Sequence, residues 1–284
     1  MAAKKTAGKG VPALPEIKTS TVDVVLLGTS PLILHRLSEE AKHELLYPKG
    51  KKTEGGKATG KLKHNPLEEY MDSAYLIGND KADTYLGIPS SSPKRAMSSA
   101  ALDIEGVKKT QIGRLAWITA SGSSHPEGMS ELLGVYGMPQ MVIKVVKSAD
   151  MKKTPDIRTR CILPKWAVKM KVSYVAENIE KATVLRLLCA AGITVGVGDF
   201  RPEKGAGNYG QFTAMLIEDA TEKVKALLEP CREQQKAAMA NPTYYDDETK
   251  GLYLWWCGEY ARRKGEKEEK EEEEEEEKED AASA

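Results

Sequence analysis

The stretch Gly196-Val-Gly-Asp-Phe-Arg-Pro-Glu-Lys-Gly-Ala-Gly-Asn-Tyr-Gly-Gln-Phe212 limits what this chain can fold into more than any other. Glycines at 196, 198, 205, 207 and 210 are interleaved with Arg201, Lys204, Asn208 and Tyr209. Glycine admits positive φ and lets backbone approach a neighbour or a ligand closely, while Arg and Lys seek phosphate. An apolar, helix-spaced run, Thr183 to Ala191, leads straight into the loop, and Phe212-Thr-Ala-Met-Leu-Ile217 leaves it as a strand. No Gly-Lys-Ser/Thr closes the loop and no helix follows it, so it is neither a Walker loop nor a dinucleotide fingerprint. Two readings stay open: a structural turn between helix and strand, or a concavity of N–H groups that takes an anion.

The rest of the chain supplies a helix and strands around that unit. Thr21-Val-Asp-Val-Val-Leu-Leu27 alternates and then becomes wholly apolar, the pattern of a first strand, and Gly28-Thr-Ser-Pro31 ends it. Short helices are expected over Leu37–Leu46 and from Asn65 onward. Another begins after Tyr85-Leu-Gly-Ile-Pro89, with Ser92 as its cap and Pro93 as its first residue. Met141–Val146 and Ala167–Tyr174 read as strands flanking a basic, hairpin-like stretch from Lys147 to Arg160, and Thr221–Ala240 reads as one amphipathic helix. The order resembles a split βαβ unit. The expected class is α+β: a ferredoxin-like or RRM-like antiparallel sheet with helices on one face. Residues 1–19 read as a flexible arm, 20–220 as the folded domain with a lysine-rich insertion at 47–64, 221–262 as a helical extension, and 263–284 as a disordered acidic tail.

A formal net charge of zero conceals a division. Residues 266–280 hold 12 acids and 3 bases, so the remainder carries +9. Basic bodies meet polyanions, and acidic runs are commonly solvated tails. Such a tail competes for a basic groove in cis at high effective concentration, and it offers a recruiting surface for replication or recombination proteins. Cys161, Cys189, Cys231 and Cys257 form no metal-ligand spacing, so neither metal nor cofactor is expected. No apolar run of about 18 residues is present, and the N-terminal lysines precede no apolar stretch. The expectation is a soluble, cytoplasmic protein with no membrane partner.

Three segments in order carry a family resemblance. They are the strand-ending turn Gly28-Thr-Ser-Pro-Leu-Ile33, the helix start Ile88-Pro-Ser-Ser-Ser-Pro-Lys-Arg-Ala-Met97, and the glycine loop from Gly196 to Gly210. Over residues 21–217 the chain resembles the RAMP superfamily, the ferredoxin-like backbone subunits of CRISPR effector complexes. Pro93 and Arg95 stand where that pattern has Leu and Gly, which marks a divergent member, of CRISPR-like or of phage or mobile-element type. The resemblance implies a protein that coats single-stranded DNA or RNA and associates with itself side by side. Some relatives cleave RNA, but the four histidines and the acids of the basic loops form no evident catalytic set here, so the expectation is binding without catalysis. The resemblance also implies that the stretch around 147–160 is a hairpin reaching across the bound strand.

The residues that would make the contact are Ser91, Ser92, Lys94 and Arg95 at a helix N-terminus, where free N–H groups favour phosphate. Lys152, Lys153, Arg158 and Arg160 join them from the hairpin, the two arginines sharing a strand face. Gly196, Gly198, Arg201, Lys204, Gly205, Gly207 and Tyr209 join them from the loop. Tyr209 is the first choice for base stacking, with Trp166 and Tyr174 as further candidates. The competing readings are a metal-independent endoribonuclease built on His35, placed where such a groove would begin, and a scaffold protein without a nucleic-acid ligand.

Overall fold

The computed structural model describes residues 16–46, 64–120, 132–147, 155–204 and 207–264. Its strands and helices are, in order, β1 (Thr19–Gly28), β2 (Leu32–Ile33), α1 (Glu39–Leu46), α2 (Pro66–Asp72), β3 (Tyr75–Leu76), β4 (Leu86–Pro89) and α3 (Ser91–Ala100). There follow α4 (Lys109–Leu115), β5 (Ala116–Ala120), β6 (Leu132–Tyr136), β7 (Gln140–Lys147), β8 (Pro155–Leu163), β9 (Ala167–Val175), α5 (Lys181–Thr194), β10 (Phe212–Leu216), α6 (Glu222–Leu227) and α7 (Arg232–Ala240). A last helix, α8, spans residues 247–264.

The larger sheet has the order β10-β1-β9, and β9 then pairs with β5 along one half and with β6 along the other, continuing to β4 and β3. All its pairings are antiparallel. Taken alone, β1-α3-β5-β9-α5-β10 is a split βαβ pair with the spatial order β10-β1-β9-β5, the ferredoxin-like arrangement. Alternation explains which way it faces. Val22, Val24 and Leu26 of β1 share a core with Val168, Met170 and Val172 of β9, Met97 and Ala100 of α3, and Leu187, Leu188 and Ala191 of α5. On the opposite face Val25 and Ala167 meet Ala220 and Val224, so α6 covers part of the sheet that the two main helices leave open.

A second sheet, β2-β8-β7, stands beside the first and is also antiparallel. The edge of β8 that continues beyond β2 is taken up by α2 and the residue after it. The Ser73 hydroxyl accepts from Cys161 N at 2.8 Å, and Glu69 Oε2 accepts from Thr159 N at 3.0 Å. The outer edge of β7 is occupied by the chain leading into α8. Met141 N donates to Thr243 O, Tyr245 N donates to Met141 O, and Ile143 N donates to Thr249 Oγ1.

Two expectations change. The helix after β4 begins two residues early, with Ser90 in the cap position making no side-chain cap bond. Pro93 is third in that helix, where its missing N–H costs nothing because first-turn amides have no intrahelical acceptor. The single helix expected over Thr221–Ala240 is two, α6 and α7, because Pro230 restrains Glu229 from the helical region and brings no donor. Among the described residues no helix is long and apolar enough to cross a membrane.

Candidate nucleic-acid interface

The glycine loop begins as a helix stop. Gly196, at φ 71°, donates to Ala191 O at 2.8 Å, which closes the last turn of α5 in the left-handed conformation that glycine adopts most readily. From there the loop folds onto the turn after β1. Asp199 N donates to Ile33 O, Gly210 N to Pro31 O, Val197 N to Gly210 O, and Tyr209 N to Phe200 O. Glu203 N and Lys204 N bond to Val195 O and Arg201 O. These amides are satisfied by the chain itself, so they do not form the open anion concavity. Arg201 is likewise engaged, bonding Gly198 O at 3.0 Å and Glu203 at 2.7 Å. The hydrogen bond from Arg201, aided by one from the Ser99 hydroxyl, holds the Glu203 carboxyl below its ordinary range.

What the loop does accomplish is to position side chains on one face of the second sheet. The register pairs Val142 with Arg160 and Lys144 with Arg158, so alternation puts these four and Ile162 on the same face. Ile33, Val142 and Ile162 form a small apolar strip, and Tyr209 from the loop and Tyr245 from the segment before α8 pack on it, each half-buried. Lys144 and Arg158 flank that strip, the latter with its side chain 48% exposed. The face is therefore an apolar floor with two tyrosine rings and a rim of cations.

Arg160 joins the pieces. Its Nε lies 3.3 Å from Asp199 Oδ2 of the loop, and its Nη1 meets His35 Nδ1 in the turn after β2. A guanidinium only donates, so His35 Nδ1 accepts and its proton sits on Nε2. Burial pulls the Arg160 pKa down, and the Asp199 carboxylate opposes that shift. Asp199 thus ties the loop to the second sheet as an ion-pair partner.

The other cations are compensated too. Lys144 contacts Asp246 at 2.6 Å and Glu248 at 3.7 Å, and Arg158 contacts Asp156 at 3.1 Å. The bond to Asp246 raises the Lys144 pKa. Burial would raise that of Asp246, but bonds from Lys144 and Thr249 outweigh it and hold the carboxyl low. A phosphate arriving on this face would exchange with carboxylates rather than meet bare cations.

The remaining expected residues are scattered. Ser91, Ser92, Lys94 and Arg95 lie in the first turn of α3, whereas the loop touches that helix at Ser99, about 12 Å along its axis. Lys204 is exposed within the loop, and Lys152, Lys153 and Gly205 lie outside the described residues. Trp166 and Tyr174 cannot stack on a ligand. Trp166 is fully buried with Nε1 donating to Ser30 O and its ring edge-on to Phe212, and Tyr174 is buried in the main core. Tyr245 and Asp246 carry no signal in the sequence, because only the return of the chain along β7 brings them to this face. Among the described residues no group of three or more His, Cys, Asp or Glu is placed to hold a metal ion.

No protein family and no curated protein matches this sequence. Among solved structures, the cryo-EM structure of the Type III-B Cmr-beta complex bound to cognate target RNA is similar at 14% identity and a TM-score of 0.32. That match covers 69% of this chain and 59% of the other, so the chain spans less than two thirds of the length it is compared with. The crystal structure of Cmr6 from Pyrococcus furiosus is similar at 11% identity and a TM-score of 0.30, covering 70% of this chain and all of that one. Likeness at this level assigns no family.

Proposed function

We propose that this protein binds single-stranded nucleic acid along the outer face of the β2-β8-β7 sheet and does not cut it. One observation carries the reading: Tyr209 and Tyr245 lie on one apolar strip, bordered by Lys144 and Arg158. Bases stack on aromatic rings without regard to sequence, and cations track the backbone. Unstacked bases are needed for this, which selects single strands over duplex. His35 is held by Arg160 as an accepting imidazole, a placement that supports a binding face more directly than an acid–base pair.

Fluorescence anisotropy with matched single-stranded RNA, single-stranded DNA and duplex tests this. Tyr209→Ala should weaken single-strand binding by roughly ten-fold or more, since a base–aromatic stack contributes about 1–3 kcal/mol. Arg158→Ala should weaken binding uniformly across sequences and flatten the salt dependence. Asp246→Asn, which removes a competing charge beside Lys144, should tighten binding by about five-fold, or ~1 kcal/mol. Preference for RNA would assign a guide-coating role, and preference for DNA a role in replication or recombination. Equal binding to all three probes, indifferent to Tyr209→Ala, would refute the assignment, and cleavage of RNA lost in His35→Ala would replace it with the ribonuclease.

A further inference from the structure

Among the described residues nothing packs on the outward face of α8. The inward face is anchored up to Trp256, beyond which Tyr260 is half-exposed. Tyr253, Trp256 and Tyr260 form a ladder of rings that continues from Tyr244, the Trp256 indole donates to His64 O, and Thr249 is fully buried. On the opposite side Leu254 is 55% and Trp255 65% exposed. Large exposed apolar groups that adjoin one another mark contact surfaces more often than chance placement does.

The glycines on this helix are a second, separate observation. Gly251 and Gly258 lie in the helix interior, and a Cβ added to either would meet nothing within 4 Å. Neither is required by a turn, a positive φ or close packing inside the chain, yet each weakens the helix relative to alanine. At 3.6 residues per turn, Asp247, Gly251, Leu254, Trp255, Gly258 and Arg262 fall within about 60° of one line along the helix. The glycines are therefore hollows on either side of a Leu–Trp ridge.

That stripe is complementary to itself when reversed. Its centre lies between Leu254 and Trp255, and Gly251 and Gly258 are equidistant from it. Asp247 and Arg262 are equidistant too. Asp246 and Glu248 are engaged by Lys144, and Arg262 and Arg263 share Glu259, so the charges the stripe itself carries are Asp247 at its N-terminal end and Arg262 at its C-terminal end. We infer that α8 pairs antiparallel with α8 of a second copy of this chain about a two-fold axis at Leu254–Trp255. The ridges meet at the axis, the glycines let the backbones approach, and each Asp247 meets the other copy's Arg262. Antiparallel alignment also opposes the two helix dipoles favourably.

An isologous contact of this kind closes on itself and gives a dimer rather than a filament. The helix is about 27 Å long, so the contact belongs to the small end of specific interfaces and dimerisation should depend on concentration. This inference is independent of nucleic-acid binding and is tested without it.

The test is sedimentation velocity on the full chain over a series of concentrations. The wild type should pass from monomer to dimer, and Trp255→Glu should remain monomeric with an unchanged circular-dichroism melt. Asp247→Arg should weaken the dimer, and adding Arg262→Asp in the same chain should restore it. A wild type that stays monomeric up to its solubility limit overturns the inference. So do dimers that survive Trp255→Glu, larger species forming a ladder, or a double charge reversal no better than the single one.

Discussion

Gly210 shows how narrowly the loop is specified. Its φ is +67°, and a Cβ there would sit 1.7 Å from Val197 O, a backbone atom that no rotamer change can move. Gly198 is comparably confined, with a Cβ position 2.5 Å from Ile33 O. Gly210→Ala should therefore destabilise the fold by about 2–4 kcal/mol, since strained φ and backbone collision act together. Urea unfolding measures this, and a loss below about 1 kcal/mol would mean the loop is not clamped as described. Glycine enrichment was plain in the sequence, but its purpose was not. The same residues that make an open nest also make a close-packed turn. Only the destinations of Asp199 N and Gly210 N, Ile33 O and Pro31 O, distinguish the two.

At the scale of elements, α7 latches across the β4–β6 pair, which the sheet already joins to β9. Gln235 is fully buried, and its carbonyl accepts from Tyr85 N and Leu86 N at 2.8 and 3.0 Å. Its amide donates to Val135 O and Gly137 O, both at 2.8 Å. One side chain thus satisfies four backbone groups, and Arg232, one turn earlier, bonds Ile77 O and Thr84 O. Gln235→Leu keeps the volume and strands all four groups, so a cost of about 3 kcal/mol or more is expected. The check is a shift of the urea midpoint at constant slope, and a variant as stable as the wild type would contradict the latch. Nothing in the sequence singled out Gln235. A glutamine on an amphipathic helix reads as solvent-facing, and its partners lie about 100 to 150 residues away. The helix break at Pro230, by contrast, obeys a local rule, which the reading of Thr221–Ala240 as one helix passed over.

For the whole molecule, the split βαβ order was readable in part, from the alternation of β1 to the apolar run of α5, but β5 was not read as a strand, and Met141–Val146, read in its place, belongs to β7 of the second sheet. The second sheet was only half readable. The β7–β8 hairpin is local and showed in the sequence, but its pairing with β2 joins residues near 32 to residues near 163. Arg158, Arg160 and Tyr209 were named from sequence, and the fold brings them to one face. Tyr245 reaches it only through the return of the C-terminal segment. Whether that face is the working surface is best asked by ultraviolet cross-linking of a halogenated single-stranded oligonucleotide to the full chain, followed by mapping of the attached peptides. The account predicts adducts on Tyr209 or Tyr245, lost in high salt and in Arg158→Ala. Adducts confined to other regions, or none at concentrations where binding is saturated, would contradict it.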